Sequence, residues 1–309
     1  PLLLLCLVIG LGGGRLLASP LRNSAIVKAV AAARPSVVNI QGQKTVGSSA
    51  ANDPSDSPRR VKGMGTGVVV DPRGYILTNY HVVEGVREIN VTLASGESMI
   101  GRLVAHDPST DLAVIRIPLE SPLPVIRIGT SRDLMEGEEV IAVGNAYGYE
   151  NTVTRGIISA LHRTVQVTDT QMYYDLIQTD ASINPGNSGG PLMNIDGEMI
   201  GVNVAVRVGA QGISFAIPVD IAMEVAARLL SIERKGVWHG IVPAEAAADQ
   251  RTRVYARTIQ HGSPAESAGI RAGDRILQGN NLEIQRKLDL ERAMLGQEPG
   301  QEAAIQLLR

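Results

Sequence analysis

A mainly β body, folded as an antiparallel barrel or sandwich and followed by a small mixed unit, is what this sequence predicts. Three observations carry that expectation: short β-type runs recur from residue 36 to residue 217, turn residues punctuate them, and convincing helices are few. The runs include Gly67-Val68-Val69-Val70, Tyr75-Ile76-Leu77-Thr78, Ile89 to Leu93, Leu112 to Ile117, Val140 to Val143, Met199 to Val204 and Ile213 to Ile217. Turn signals such as Asp71-Pro72-Arg73-Gly74 and Asp196-Gly197 fall between them. This spacing disfavours alternating βαβ units.

Taken in order, the chain begins with an apolar stretch, Leu2 to Leu11, then Gly12-Gly13-Gly14, Arg15 and the patch Leu16-Leu17-Ala18. A spanning helix needs about 20 apolar residues, more than this run offers. Residues 1–20 are therefore expected to be a signal-peptide core or the tail of a membrane anchor, and both imply export. Cys6, the one cysteine of 309 residues, lies in this stretch. Leu3-Leu4-Leu5 precede it where lipoprotein processing wants small side chains, so it reads as a spectator thiol. Neither an intrachain disulfide nor a cysteine nucleophile is then available to the folded body.

A short alanine-rich helix is expected from Ile26 to Ala33, stopped by Pro35, with a strand over Ser36–Ile40. Ser48 to Arg60, rich in Ser, Pro, Asp and Asn, reads as a surface loop within a domain. Val219 to Leu230 is apolar on a 3.6-residue period and reads as a helix. Arg234-Lys235-Gly236 ends that section and sets an expected domain boundary after residue 235. The last unit, 236–309, carries a strand over Val254–Ile259, a turn at Gly273-Asp274 and a helix over Asp289–Leu295. With 29 basic and 31 acidic residues and a net charge of −2, nothing calls for nucleic acid as a partner.

Chemistry is concentrated in Asn184-Pro185-Gly186-Asn187-Ser188-Gly189-Gly190-Pro191-Leu192. A serine flanked by glycines suits a sharply turned backbone whose Gly186 and Ser188 amides hold an oxyanion. Alone, the same run also fits a glycine-rich hairpin with an ordinary polar serine. A serine nucleophile needs a base. Of five histidines, His81 follows the buried-strand run ending at Tyr80, a rigid place for an imidazole. His106, His162, His239 and His261 fall in stretches that read as turns or loops. A carboxylate must then orient the imidazole. Asp111 opens the strand Leu112-Ala113-Val114-Ile115, whereas Asp107, beside Pro108, suits turn capping better. His81, Asp111 and Ser188 give the chain order His, Asp, Ser. The histidines show no metal-ligand spacing, and no metal or cofactor is expected.

Thr78-Asn79-Tyr80-His81-Val82-Val83, Thr110-Asp111-Leu112-Ala113-Val114-Ile115 and Gly186-Asn187-Ser188-Gly189-Gly190-Pro191-Leu192 resemble the three catalytic blocks of the HtrA (Deg) family. Gly212-Ile213-Ser214-Phe215-Ala216-Ile217-Pro218 resembles that family's strand beside the substrate. The resemblance runs from about Ile26 to the C-terminus. It implies a mainly β, chymotrypsin-like double β-barrel protease domain (residues 21–235) followed by a small α+β PDZ domain (236–309), with trimers as the basic assembly. It also implies ATP-independent cleavage of misfolded or signalling proteins in the periplasm or extracytoplasmic cell envelope.

Gly262-Ser263-Pro264-Ala265 through Gly273-Asp274-Arg275-Ile276-Leu277 is similar to the core of that family's PDZ domain. The resemblance places peptide C-termini at Trp238-His239-Gly240-Ile241, by strand addition with amides receiving the carboxylate. His239 and Gly279 depart from the apolar residues of the family pattern, and Gly279 is expected to weaken the second half of the unit. Loops over Asn145–Thr154 and Leu161–Tyr174 resemble regulatory loops in position. Ser182 stands six residues before Ser188 where a carboxylate would select basic side chains. Ile183, Phe215 and Ala216 therefore imply an apolar pocket for small aliphatic side chains, though core packing is the alternative reading. A non-proteolytic, peptide-sensing scaffold and a protease dedicated to one signalling target stand as competing readings.

Overall fold

In the computed structural model, residues 22–46, 59–146, 149–166, 172–204, 212–234, 236–248 and 251–309 are described. The N-terminal segment and most of the Ser48–Arg60 loop lie outside them.

Helix α1 (Ala25–Ala33) starts where the Ser24 hydroxyl accepts the Val27 N–H at 3.4 Å. It stops at a 3₁₀ turn, Arg34–Ser36, because Pro35 cannot donate into a continuing helix. Six strands then close a first barrel: β1 (Val37–Val46), β2 (Arg59–Asp71), β3 (Tyr75–Asn79), β4 (Val86–Thr92), β5 (Ser98–Asp107) and β6 (Leu112–Arg116), in the order β1-β2-β3-β6-β5-β4. One helical turn, α2 (Tyr80–Val83), separates β3 from β4. A second barrel comprises β7 (Glu139–Ala146), β8 (Tyr149–Gln166), β9 (Met172–Thr179), β10 (Pro191–Met193), β11 (Met199–Val204) and β12 (Ser214–Pro218), in the order β10-β11-β12-β9-β8-β7. Barrels rather than a sandwich are the outcome, since β1 pairs with β4 and β10 with β7 to seal both edges.

Period-2 alternation sorts the side chains of these strands. Val38, Ile40, Val69, Ile76, Val91 and Ile115 form one cluster, in the first barrel. Val140, Ala142, Ile158, Ile177, Leu192 and Ala216 form another, in the second. Their neighbours Val68, Val70, Leu77, Ile141, Val143 and Val202 join a third cluster with helix α3 (Val219–Glu233). Strand β3 is buried at all five positions, the polar Thr78 and Asn79 included.

Beyond α3 lie β13 (Ile241–Ala248), β14 (Arg251–Ile259), α4 (Pro264–Ser267), β15 (Arg275–Gly279), β16 (Leu282–Glu283), α5 (Lys287–Met294) and β17 (Ile305–Leu308). Their sheet runs β13-β14-β15-β16, with β17 also on β15, so β13 is an edge strand. Leu288 and Leu295 share the α3 cluster, so α5 packs on the double-barrel side as well as on its own sheet. Asp71, 1% exposed, fastens the same junction. It accepts from Arg73 at 2.8 Å and Arg292 at 3.0 Å, while Arg73 donates onward to the carbonyls of Leu295 and Arg292 at 2.7 and 2.6 Å. Burial pulls the Asp71 carboxyl upward, but hydrogen bonds from Arg73 and Arg292 outweigh it and hold the group low.

Several sequence expectations need correction. The stretches 145–154 and 161–174 are mostly strand rather than loop, because β8 continues for 18 residues and pairs with both β7 and β9. The β-branched residues Thr152, Val153, Thr154, Thr164 and Val165 favour this ladder despite the polar composition. Arg59 and Arg60 likewise belong to β2. His106 lies in β5 and His162 in β8, not in loops; His106 stacks on Tyr80 with ring centroids 4.2 Å apart. Gly279 keeps its ladder partners, and a Cβ there would stand 3.0 Å from the Ala293 Cβ, so the glycine lets α5 cross closely over β15. Among the described residues, no helix is long and apolar enough to cross a membrane.

Candidate active site

Two segments of the first barrel and one of the second supply the candidate site. Asp111 sits at the β5–β6 turn with φ 54°, a left-handed conformation that Asp tolerates. The turn itself is capped by Asp107, whose Oδ1 accepts the Ser109 N–H at 3.0 Å and the Ser109 hydroxyl at 2.6 Å. That arrangement leaves Asp111 for another task.

The Asp111 carbonyl accepts from the Tyr80 N–H at 2.9 Å and from Asn79 Nδ2 at 3.0 Å. Its carboxylate takes the His81 N–H on Oδ1 at 2.8 Å and His81 Nδ1 on Oδ2 at 2.6 Å. A carboxylate can only accept, so the proton of the neutral ring resides on Nδ1 and Nε2 presents a lone pair. Asp111 is 2% exposed, whereas the His81 side chain is 42% exposed. From the second barrel, the Tyr173 hydroxyl also bonds to Asp111. Burial first, and then the Asp111 charge and hydrogen bond, push the ionisation of that phenol upward, so it stays a neutral donor.

Ser188 follows a tight turn over Asn184–Asn187, closed by the Asn187 N–H on the Asn184 carbonyl at 2.9 Å. Pro185 and Gly186 occupy its centre, and Gly186 takes φ 105°, a value open to glycine. Thr66, fully buried on β2, then ties this loop to the first barrel. Its Oγ1 donates to the Gly186 carbonyl at 2.7 Å and accepts the Asn145 N–H at 3.0 Å; its own N–H donates to the Ser188 carbonyl at 2.8 Å. The Thr66 carbonyl accepts the Thr78 hydroxyl at 2.7 Å. The 186–187 peptide is thus held by both its N–H and its carbonyl, which fixes the backbone between the Gly186 and Ser188 amides.

Gly189 has no alternative here, since a Cβ would lie 2.3 Å from the Thr66 carbonyl oxygen and 3.0 Å from the Asn79 nitrogen. The same approach sets the serine loop against the last residue of β3, two positions before His81. Ser188 is itself 2% exposed.

The other sequence candidates divide. Ile183 is half-buried, donates its N–H to Ser214 Oγ at 3.3 Å and packs in the second-barrel cluster that contains Ala216. Phe215 points the other way, into the inter-barrel cluster, as alternation along β12 demands. Trp238 is exposed and donates to Gln260. His239 Nδ1 accepts the Ile241 N–H at 2.9 Å, and Ile241 opens β13. Gly240 has φ 79°, and a Cβ there would fall 2.0 Å from the Ser263 Cβ. Sequence reasoning missed Thr66 and Tyr173. The triplet Gly65-Thr66-Gly67 was a signal for the first; Tyr173 carried none.

Residues 65–202 match the family described as trypsin-like peptidase domain, and residues 232–309 match PDZ domain. A putative serine protease, HhoB of Synechocystis sp., is 37% identical over 92% of this chain and 76% of its own length. A probable periplasmic serine endoprotease, DegP-like, of Hahella chejuensis is 38% identical over 82% of this chain; the chain spans 55% of that relative, about half the length of the DegP-like proteins it matches. Among solved structures, the HtrA-type protease AlgW with decapeptide superposes with a TM-score of 0.57 at 34% identity, covering 92% of this chain and 94% of that one. Two barrels, a trypsin-like match and a PDZ match in this order lead to one conclusion: the chain belongs to the HtrA-type family of serine endopeptidases, with a trypsin-like peptidase domain followed by a PDZ domain.

Proposed function

We propose that this chain hydrolyses peptide bonds in exported proteins by acyl transfer, with Ser188 as nucleophile, His81 as general base and then acid, and Asp111 as the group that orients His81. The observation that carries this reading is the 2.6 Å contact from His81 Nδ1 to a carboxylate buried to 2% exposure, beside a serine loop pinned through Thr66. In the first step Nε2 of His81 accepts the Ser188 hydroxyl proton as Oγ attacks the substrate carbonyl. The amides of Gly186 and Ser188 receive the developing oxyanion. The imidazolium, stabilised by Asp111, protonates the leaving amine. Water then attacks the acyl carbon, giving a proton to His81, and His81 returns that proton to Ser188 Oγ as the acyl group leaves.

Half-buried Ile183, with Ala216 packed behind it in the core, supports an apolar subsite for small side chains, and the uncharged Ser182 gives no carboxylate for Lys or Arg. Residues 21–235 serve as the protease unit and 236–309 as a peptide-binding unit, with Trp238, His239, Gly240 and Ile241 at the entry to its edge strand. The substrates are misfolded or signalling proteins, the assembly is a homotrimer, and the location is the periplasm or cell envelope, in keeping with the relatives named periplasmic endoproteases. Labelling with a fluorophosphonate probe tests the core of the reading. One adduct on Ser188, abolished by Ser188→Ala and by prior heat denaturation, is expected. Equal casein degradation by wild type and a clean Ser188→Ala preparation would overturn it.

A further inference from the structure

The free edge of β13 faces a cleft of about 550 Å³, walled by Ile241, Val242 and Pro243 on one side and by Lys287 and Glu291 of α5 on the other. The C-terminal half of α3 closes the third side, and Arg234, its C-cap residue, reaches into the cleft. Such an edge strand beside a helix is where a peptide adds by β-pairing. The polar groups inside are unusual. Arg234 Nε stands 3.1 Å from Glu291 Oε2, with the two side chains 17% and 9% exposed. Yet Arg234 Nη1, Glu291 Oε2 and the nearby His239 Nε2 are all buried without a hydrogen-bond partner among the described residues. Two such atoms in the cleft lining and a third on the adjoining loop leave a large unmet demand, since each costs about 1–3 kcal/mol when left dry.

We propose that Glu291 is a built-in stand-in for a peptide's C-terminal carboxylate: an incoming free C-terminus takes Arg234 from Glu291, and Glu291, losing its cation, picks up a proton. This rests on the PDZ reading above and adds to it which side chains receive the ligand and what they exchange. His239 supports the assignment. With its Nδ1 accepting the Ile241 N–H, the neutral ring carries its proton on Nε2, a second donor for the arriving carboxylate. Burial, then the Arg234 charge, draw the His239 pKa down to about 4, so the ring stays neutral as the cleft fills.

The proton balance follows from charge and burial. Burial pushes Glu291 up to about 7 even though Arg234 opposes it. Removing Arg234 to the peptide deletes the one opposing effect, so the acid moves further up and binds a proton. The remaining charged groups lining this cleft are Glu224 and Arg228 of α3, Arg257 of β14 and Lys287 of α5. Lys287 is already engaged with Glu224 at 3.1 Å. A carboxyl whose bound-state pKa exceeds its free-state value makes binding tighter as pH falls.

Fluorescence anisotropy on the full chain carrying Ser188→Ala tests this. The probes are fluorescein-labelled decapeptides ending in Val, Leu or Phe, each as free acid and as C-terminal amide. Free-acid peptides should bind about tenfold or more tightly at pH 6 than at pH 8.5, by uptake of up to one proton. Glu291→Gln should bind at pH 8.5 as wild type does at pH 6, with the slope removed. Arg234→Gln should lose the preference for free acid over amide. A pH slope identical in wild type and Glu291→Gln, with peptide bound in both, would overturn this inference and leave the PDZ reading intact. No binding of any free-acid probe by either protein would overturn both.

Discussion

Two histidine–aspartate pairs in this molecule are almost superposable as local chemistry and opposite as environments. His81 and Asp111 meet at 2.6 Å, His162 and Asp175 at 2.5 Å, and each aspartate sits at positive φ, 54° and 57°. The first carboxylate is 2% exposed. In the second pair the side chains are 83% and 47% exposed, on the paired strands β8 and β9. Water and salt screen the second pair, so it holds little energy and orders nothing around it. The first is backed by the His81 amide on the other carboxylate oxygen, and a serine loop rests against its strand. A short His–Asp contact is therefore no mark of catalysis by itself. Burial of the acid and the approach of a serine loop from a second barrel make the difference.

That contrast can be broken or sharpened by substitution. The largest effect belongs to Ser188→Ala, expected to lower kcat for a casein or peptide substrate by about 10⁶ with folding retained by circular dichroism. Asp111→Asn should leave the fold and lower kcat about 10⁴-fold, because an amide can donate to Nδ1 and so favours the wrong tautomer. Thr66→Val removes the hydroxyl that serves Gly186 and Asn145. A loss of about 1–3 kcal/mol in chemical denaturation should accompany weaker fluorophosphonate labelling. Asp175→Asn completes the series: activity unchanged within about twofold and stability within about 0.5 kcal/mol. If Asp175→Asn and Asp111→Asn proved equally damaging, the distinction between the pairs would fall.

Much of the site was legible before any coordinates. His81 could be placed because five apolar and β-favouring residues precede it, and a strand end is rigid. Asp111 could be separated from Asp107 because Pro108 marks the turn that an aspartate caps, and Asp107 does cap it. Ser188 stood out through its glycines, two of which have no room for a Cβ. Other features lay beyond that reasoning. Thr66 lies 122 positions before Ser188 (188 minus 66), and only barrel closure tells that its hydroxyl meets the Gly186 carbonyl. Tyr173 belongs to a stretch whose polar content reads as loop, until pairing with β8 makes it strand. Phe215 and Ala216 read as one pocket, whereas the pleat sends them to different cores.

The junction of the two units makes the same point at larger scale. The apolar period of α3 and of α5 could be read from each helix alone. That Leu288 and Leu295 enter a core shared with α3, and that Asp71 binds arginines from both sides, could not.

By itself the sequence determined the local matters: which runs become strands, where glycine and proline turn the chain, and which residue types can carry acyl transfer. Those follow from interactions among neighbours, which period and composition record. Tertiary structure alone decided which polar groups are buried together, as with Asp111 and Tyr173 or Arg234 and Glu291. Electrostatic strength depends on the water excluded around a pair, and water is excluded by segments far apart in the chain.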